Sequence, residues 1–194
     1  MNEVTHKFCQ LVRRRSDENR RAMAALATLK QKAISPMMSL LRQELDSMIR
    51  AIYLLCVHDP AERTRLIKST IIGKKWQVRT EKGKLRNVTD REMAELAQKL
   101  QGWTKSVYKF GCAFIHLSDF HNYFDKDPFQ RLPKSERNDI LNHMRYHHGG
   151  PLNDNPDIYE FSMYLPQVID KISGNLKCYL TYLEEGKIIE MKEL

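Results

Sequence analysis

The chain has 194 residues, of which 42% are hydrophobic and 29% are charged. It is long and apolar enough for one domain with a buried core, which excludes disorder over most of its length. Thirty-two Lys and Arg against 24 Asp and Glu give a formal charge of +8, which favours RNA, DNA or phosphate partners but is below the charge of a dedicated nucleic-acid protein.

The cysteines and the apolar runs indicate a cellular compartment. The four cysteines, Cys9, Cys56, Cys112 and Cys178, are far apart and form no CxxC pair, which is typical of free, mostly packed thiols in a reducing cytosol. The N-terminus has no apolar run of the signal-peptide type, and no window approaches about 18 uncharged apolar residues. We therefore expect a cytoplasmic protein without a membrane-spanning helix.

In the first third of the chain, apolar residues recur three and four positions apart, which predicts helices. The first helix is expected over residues 2–32, with a polar middle, RRRSDENRR, that faces a core on no side. Ser35 and Pro36 are typical of an N-cap and a first-turn proline for the second helix. That helix has a broad apolar stripe of Met38, Leu41, Leu45, Met48, Ile49, Ile52 and Leu55. Asp59-Pro60 starts a third helix that ends near residue 72.

The helical pattern is interrupted by KKWQVRTEKGKLRNV, residues 74–88. Trp76 and Val78 alternate there with polar residues, and Glu81-Lys82-Gly83 has the composition of a turn. These features predict a small, basic β-hairpin inserted between helices.

The helices resume after the hairpin. Thr89 or Asp90, with Glu92 close behind, predicts the cap of a helix to about residue 101. Gly102 interrupts, and a further helix is expected over residues 103–120.

The last third begins with a predicted loop, NYFDKDPFQRLP. Ser135 is expected to cap a helix that stops at Gly149-Gly150-Pro151, and Asn155-Pro156 leads into the last helix, which should kink or restart at Pro166. The sequence thus predicts an all-α fold in a single domain, residues 1–194, with six or seven helices and one hairpin.

His116 is the first candidate site residue, because it lies in an apolar run, CAFIHL. Lys109, Cys112 and His116 share one side of their helix, while the apolar side consists of Trp103, Val107, Phe110, Phe114 and Leu117. An imidazole in such surroundings needs a partner or a cleft. The alternative is a histidine satisfied within the helix packing.

Arg42, Asp46 and Arg50 recur every four residues on the second helix. They form either intrahelical ion pairs on a solvated face or one wall of a polar groove. In the groove, Asp46 would orient the His116 imidazole and Arg42 would hold a phosphate.

The stretch SERNDILNHMRYHHGGP is rich in histidine and arginine. Cations before Gly-Gly-Pro are what the carbonyl end of a helix favours, which explains His147 and His148. His143 and His147 also have the spacing of two metal ligands, so a hydrolase with a metal held by His116, His143 and His147 is an alternative. No HExxH glutamate or nearby cysteine accompanies them.

Within that stretch, RNDILNH places Arg137 next to Asn138 and six positions before His143. This pattern resembles the signature of the HEPN superfamily, small helical bundles that include metal-independent ribonucleases of toxin-antitoxin, CRISPR and abortive-infection systems. A second resemblance covers residues 37–123 and is to bacterial HEPN-like families in which an Arg and an acid on one helix accompany a later His. It selects Arg42, Asp46 and His116, with Lys109 where an Arg would be needed.

The resemblance implies RNA cleavage without a metal or other cofactor. The histidine would move a proton as the 2′-hydroxyl attacks the adjacent phosphate, and the arginine would stabilise the transition state. It also implies a homodimer with two motifs in one cleft, and an antitoxin or defence-system protein as partner. The expected RNA contacts are Lys74, Lys75, Arg79, Lys82, Lys84, Arg86, Lys109 and Arg145. The alternative is a catalytically inactive HEPN-like module that binds a protein or a nucleotide, with the hairpin as a solvated loop.

Overall fold

The computed structural model describes residues 2–30, 33–80, 82–115 and 125–190. Within these ranges the chain forms eight α-helices and one two-stranded sheet. The elements are α1 (Glu3–Ala27), α2 (Ile34–Leu55), α3 (Pro60–Ile71), β1 (Gln77–Arg79), β2 (Leu85–Asn87), α4 (Asp90–Gln101), α5 (Thr104–Ile115), α6 (Lys134–His148), α7 (Ile158–Ser162) and α8 (Leu165–Glu184). The predicted all-α bundle with one small hairpin is confirmed.

Helix α2 is the centre of the bundle. It packs against α1, α4, α5 and α8, and 14 of its 22 residues are buried. Every residue of the apolar stripe predicted for α2 is buried in the core. A helix that is covered on most sides needs apolar residues beyond a single stripe, and α2 supplies them with Ile34, Met37 and Leu54.

The boundaries of α1 and α2 differ from the prediction. Helix α1 ends at Ala27, five residues before the predicted position 32. Helix α2 begins at Ile34, so Ser35 lies inside its first turn, and the predicted Ser35 cap is wrong. Pro36 also lies in that turn, where a residue without an N–H is tolerated because no intrahelical carbonyl is available to it.

The polar middle of α1 is partly buried, contrary to the prediction. Ser16 and Asn19 face α2, where Glu44 is fully buried. The Ser16 hydroxyl donates to Glu44 Oε1, and Asn19 Nδ2 donates to Glu44 Oε2 at 3.0 Å. From α8, the Ser173 hydroxyl donates to Glu44 Oε1 at 2.8 Å. These hydrogen bonds explain how polar residues pack here, because buried polar groups are stable when they have partners.

Several helix ends are formed by the predicted residues. The Asp59 side chain accepts from the Ala61 N–H at the start of α3, and the Thr89 side chain accepts from the Glu92 N–H at the start of α4. Gly102 ends α4 and Gly149 ends α6, with φ values of 74° and 73°. This left-handed conformation strains residues with a Cβ, so glycine is favoured at both ends.

Two further predictions concern α6 to α8. Helix α6 begins at Lys134 with Pro133 in the cap position and no side-chain cap, so the Ser135 cap is wrong. The restart at Pro166 is confirmed, because α7 ends at Ser162 and α8 begins at Leu165 with the proline in its first turn.

The hairpin has the predicted place and is anchored to the bundle. Gln77 pairs with Asn87 and Arg79 with Leu85 in an antiparallel register. Trp76, just before β1, is buried against Tyr53 of α2, with ring centroids 5.6 Å apart. Glu81, part of the predicted turn, lies outside the described residues. The anchored tryptophan fixes the base of the hairpin, while the strands extend from the bundle.

The cysteines and the apolar character of the helices bear on the expectations from composition. All four cysteines are free thiols, and burial raises the pKa of Cys9 to about 12. Within residues 2–30, 33–80, 82–115 and 125–190, no helix combines the length and the apolar character needed to cross a bilayer.

Candidate functional site

Helix α6 carries the Arg137, Asn138 and His143 motif. Its last turn holds Arg145, His147 and His148 in front of Gly149, as the prediction of a helix C-terminus requires. Because residues along a helix advance by about 100° each, the candidate residues of α6 point in different directions. Two depressions flank the helix.

The first depression, which we call the polar groove, contains the start of the motif. Its lining residues are Lys134, Arg137, Asn138, Leu141, Asn142, Arg145, Asp154 and Asn155. It is open to solvent, and Asp154 is its one acidic lining residue among those described. The groove therefore offers amide and guanidinium donors to an anion.

Arg137 also holds the loop that precedes α6. Its Nη1 donates to the main-chain oxygen of Gln130 at 3.2 Å and to Gln130 Oε1 at 2.7 Å. Gln130 Nε2 in turn donates to the Pro156 carbonyl at 2.8 Å. Arg137 thus connects two loops to the helix, a structural role that the sequence pattern did not reveal.

Arg145 holds the loop that follows α6. Its Nε donates to the Pro151 carbonyl at 2.9 Å, and its Nη2 donates to the Asn153 carbonyl at 3.0 Å and to Asp154 Oδ1 at 2.7 Å. A phosphate would compete with these partners for the guanidinium, so Arg145 is poorly placed for the predicted RNA contact.

The second depression, which we call the apolar cleft, lies between α2, α5, α6, α7 and α8. Its volume is about 630 Å³ including its open mouth. Apolar side chains form its walls: Met38, Leu41, Trp103, Val107, Phe110, Ile140, Met144, Phe161, Leu165, Val168 and Ile172. The polar lining residues are Ser106, His143, His147, His148 and Lys171. Sequence patterns do not reveal this cleft, because five elements must meet to form it, although Ile140, His143, Met144 and His147 share one side of α6.

The motif residues are therefore divided between the two depressions. Arg137 and Asn138 line the polar groove, and His143 lines the apolar cleft. A separation of six residues turns side chains apart by about 120°, which accounts for this division. The described part of one chain does not bring Arg137 and His143 to one pocket, and their pairing across two copies stays a prediction.

Two histidines at the cleft have perturbed acidity. Burial lowers the pKa of His147 and of His148, and Lys171 and the neighbouring histidines lower both further. Because the unfolded chain holds these protons more tightly, the stability they contribute is present above about pH 6.5 and is lost as the pH falls through the lower folded-state pKa values. Both imidazoles are therefore favoured in the neutral form.

The second candidate constellation is centred on Arg42, which is only 3% exposed. Its Nη1 donates to Asp46, so this predicted ion pair is present, but the predicted solvated face is wrong for Arg42. The guanidinium carbon lies 4.2 Å from the centre of the Tyr108 ring. Its methylene groups lie against Gly111 of α5, where an added Cβ would be 3.0 Å from two Arg42 carbons. The glycine therefore permits the close approach of α5 to α2.

Charge neighbours keep Arg42 ionised. Burial alone would lower its pKa, but Asp46 raises the pKa above its ordinary value. Arg50 pairs with Asp90 of α4 at 2.7 Å, and Asp90 lies 3.9 Å from the Arg42 guanidinium. Arg42 Nε is buried and has no hydrogen-bond partner among the described residues. His116, the predicted partner of this group, lies outside those residues.

The hairpin presents the largest group of cations predicted to contact RNA. Arg86 forms two hydrogen bonds with Glu92, and Arg79 donates to the Gly83 carbonyl. The remaining four are exposed, with no carboxylate within ion-pair distance in the described ranges: Lys74, Lys75, Lys82 and Lys84. Lys109 of α5 lies 3.9 Å from Glu136 of α6. The hairpin lysines are thus the predicted contacts that are accessible and have no ion-pair partner in the part of the chain that the structure describes.

The metal site predicted from His116, His143 and His147 has no counterpart in the described part of the chain. Among the residues that the structure describes, no three His, Cys, Asp or Glu side chains are grouped so that they could hold a metal ion. His116, one of the three histidines considered for such a site, is not among them. No family model, curated protein or solved structure matches this chain.

Proposed function

We propose that this protein binds RNA through the hairpin. The observation that carries the proposal is a group of four exposed lysines, none paired with a carboxylate of the described residues, on an element that the buried Trp76 anchors to the bundle. Exposed lysines whose ammonium groups form no ion pair with a described carboxylate are available to phosphates, and each phosphate contact releases counterions. The net charge of +8 adds a favourable long-range field. The HEPN-like motif favours RNA over other polyanions as the ligand.

Replacing Lys74, Lys75, Lys82 and Lys84 by Gln is expected to weaken binding to a single-stranded RNA at least about tenfold at moderate salt. The slope of log K against log salt should become shallower by about 3, since each lost phosphate contact contributes roughly 0.7 for single strands. Fluorescence anisotropy with a labelled oligonucleotide over a salt series measures both quantities.

The matched control carries the same change of net charge elsewhere. Lys7, Lys30, Lys99 and Lys177 are exposed and lie on other parts of the surface. Their replacement by Gln should change the slope far less than the hairpin variant does. Equal losses in the two variants would show that net charge alone is responsible and would refute a hairpin site.

A metal-independent ribonuclease of bacterial defence or toxin-antitoxin type is the second candidate. The observation that favours it is the open polar groove, where Arg137 and Asn138 stand together with Lys134. Because His143 opens into the apolar cleft, the proposal requires a homodimer in which the arginine of one copy approaches the histidine of the other. The antitoxin or defence-system partner belongs to this second candidate.

Mixed dimers test this arrangement. Arg137→Gln and His143→Ala homodimers should each lose RNA cleavage in the presence of a chelator. A mixed dimer of the two variants should recover up to about half of the activity, because one of its two sites would again contain both residues. No cleavage by the wild-type protein, or an inactive mixed dimer of folded chains, would contradict a site shared between copies. Thermal unfolding checks that the loss of the Gln130 contact has not unfolded the arginine variant.

A further inference from the structure

We infer that the apolar cleft binds a small amphipathic anion, with its apolar body between α5, α6 and α8 and its headgroup at Lys171 and the histidines of α6. This site is separate from the hairpin and does not depend on RNA binding. The enclosed space of the cleft is small, about 60 Å³, and the larger volume of about 630 Å³ includes its open mouth, so we expect a slender ligand whose headgroup stays at the mouth.

The walls determine the body of the ligand. Phe110 and Phe161 meet edge to face, with centroids 5.8 Å apart, and Leu165 and Ile172 of α8 are buried beside them. Trp103, the residue before α5, is also buried. A hydrocarbon chain or ring in this space would remove its apolar surface from water, which stabilises binding by about 25 cal/mol per Å².

The polar residues determine the headgroup. Among the described residues, no Asp or Glu lines the cleft, whereas Lys171 and three histidines do. Lys171 has no carboxylate within ion-pair distance in the described part of the chain. His143 and His147 stack with parallel rings whose centroids are 6.2 Å apart. A carboxylate or phosphate there would meet donors on α6 and α8 and no acid of the described chain, which favours an anion over a neutral or cationic group.

Proton uptake should accompany binding. Within the described ranges, the titratable groups that line the cleft are His143, His147 and His148 on α6 and Lys171 on α8; α2, α5 and α7 contribute none. Burial, Lys171 and the neighbouring imidazoles keep the pKa of His147 and His148 low. A bound anion favours their charged forms, so its affinity should rise as the pH falls from about 7.5 to about 6.

Decanoate, decanol and decylamine, used below their micellar concentrations, are the probes. Trp103 lines the cleft and Trp76 does not, so a Trp76→Phe variant leaves one fluorescent reporter at the site. We expect saturable binding of decanoate, with decanol bound at least about tenfold more weakly and decylamine weakest. Titration calorimetry of the wild-type protein checks the affinity.

Lys171→Gln should weaken the binding of decanoate about tenfold and leave the affinity for decanol unchanged. The matched control is Lys177→Gln on the same helix, which is exposed and does not line the cleft. Val107→Trp should fill the cleft and abolish binding of both probes. No saturable decanoate binding, or equal affinities for decanoate and decanol, would overturn the inference. Unchanged decanoate affinity in a folded Lys171→Gln protein would overturn it as well.

Discussion

Replacing Glu44 by Ala is expected to lower the free energy of unfolding by about 3 to 5 kcal/mol. Its carboxylate accepts hydrogen bonds from Ser16, Asn19 and Ser173, all of which are buried. Removal leaves three donors without this acceptor, and an unsatisfied buried polar group costs about 1 to 3 kcal/mol. Urea denaturation followed by circular dichroism measures the change.

Two further variants isolate the cause. Gln43→Ala changes the neighbouring residue, which is only partly buried, and should alter stability by no more than about 0.5 kcal/mol. Glu44→Gln keeps one acceptor oxygen and should fall between Ala and the wild type. A Glu44→Ala protein within about 1 kcal/mol of the wild type would contradict the importance of these hydrogen bonds.

Arg42→Ala should lower the free energy of unfolding by about 3 kcal/mol, the second largest effect that we expect. The variant loses the guanidinium on the Tyr108 ring, the methylene packing against Gly111 and the ion pair to the largely buried Asp46. Removing one partner of a buried pair usually costs about 3 to 5 kcal/mol, and the partial exposure of Asp46 places the estimate at the lower end. Chemical denaturation measures this loss as well.

Arg50 provides the control on the same helix. It is partly exposed and pairs with Asp90, which is also partly exposed, so Arg50→Ala should cost about 1 kcal/mol or less. In double-mutant cycles, the coupling of Arg42 with Asp46 should exceed that of Arg50 with Asp90. Equal costs for the two arginines would contradict a special role for the buried one.

The parts of the fold that depend on neighbouring residues could be predicted from the sequence. Thr89 caps α4 and Gly149 ends α6 because each acts on backbone groups within the next or previous turn. The hairpin follows from alternation around Trp76 and a turn at Gly83. The stripe of α2 requires only helical periodicity.

The parts that depend on distant residues could not be predicted. Ser16 and Asn19 have polar side chains, and their burial follows from Glu44, which lies 28 and 25 positions away in the sequence. Arg137 matches a catalytic pattern, yet its contact with Gln130 depends on the path of a loop. Such pairings are set by tertiary packing and leave no local periodicity.

The most direct measurement of the central claim is ultraviolet cross-linking of the full chain to single-stranded RNA, with the modified peptides identified by mass spectrometry. RNA binding by the hairpin predicts cross-links concentrated in residues 74–88, and their loss in the Lys74, Lys75, Lys82 and Lys84 variant. Cross-links only on other surfaces, unchanged in that variant, would contradict it.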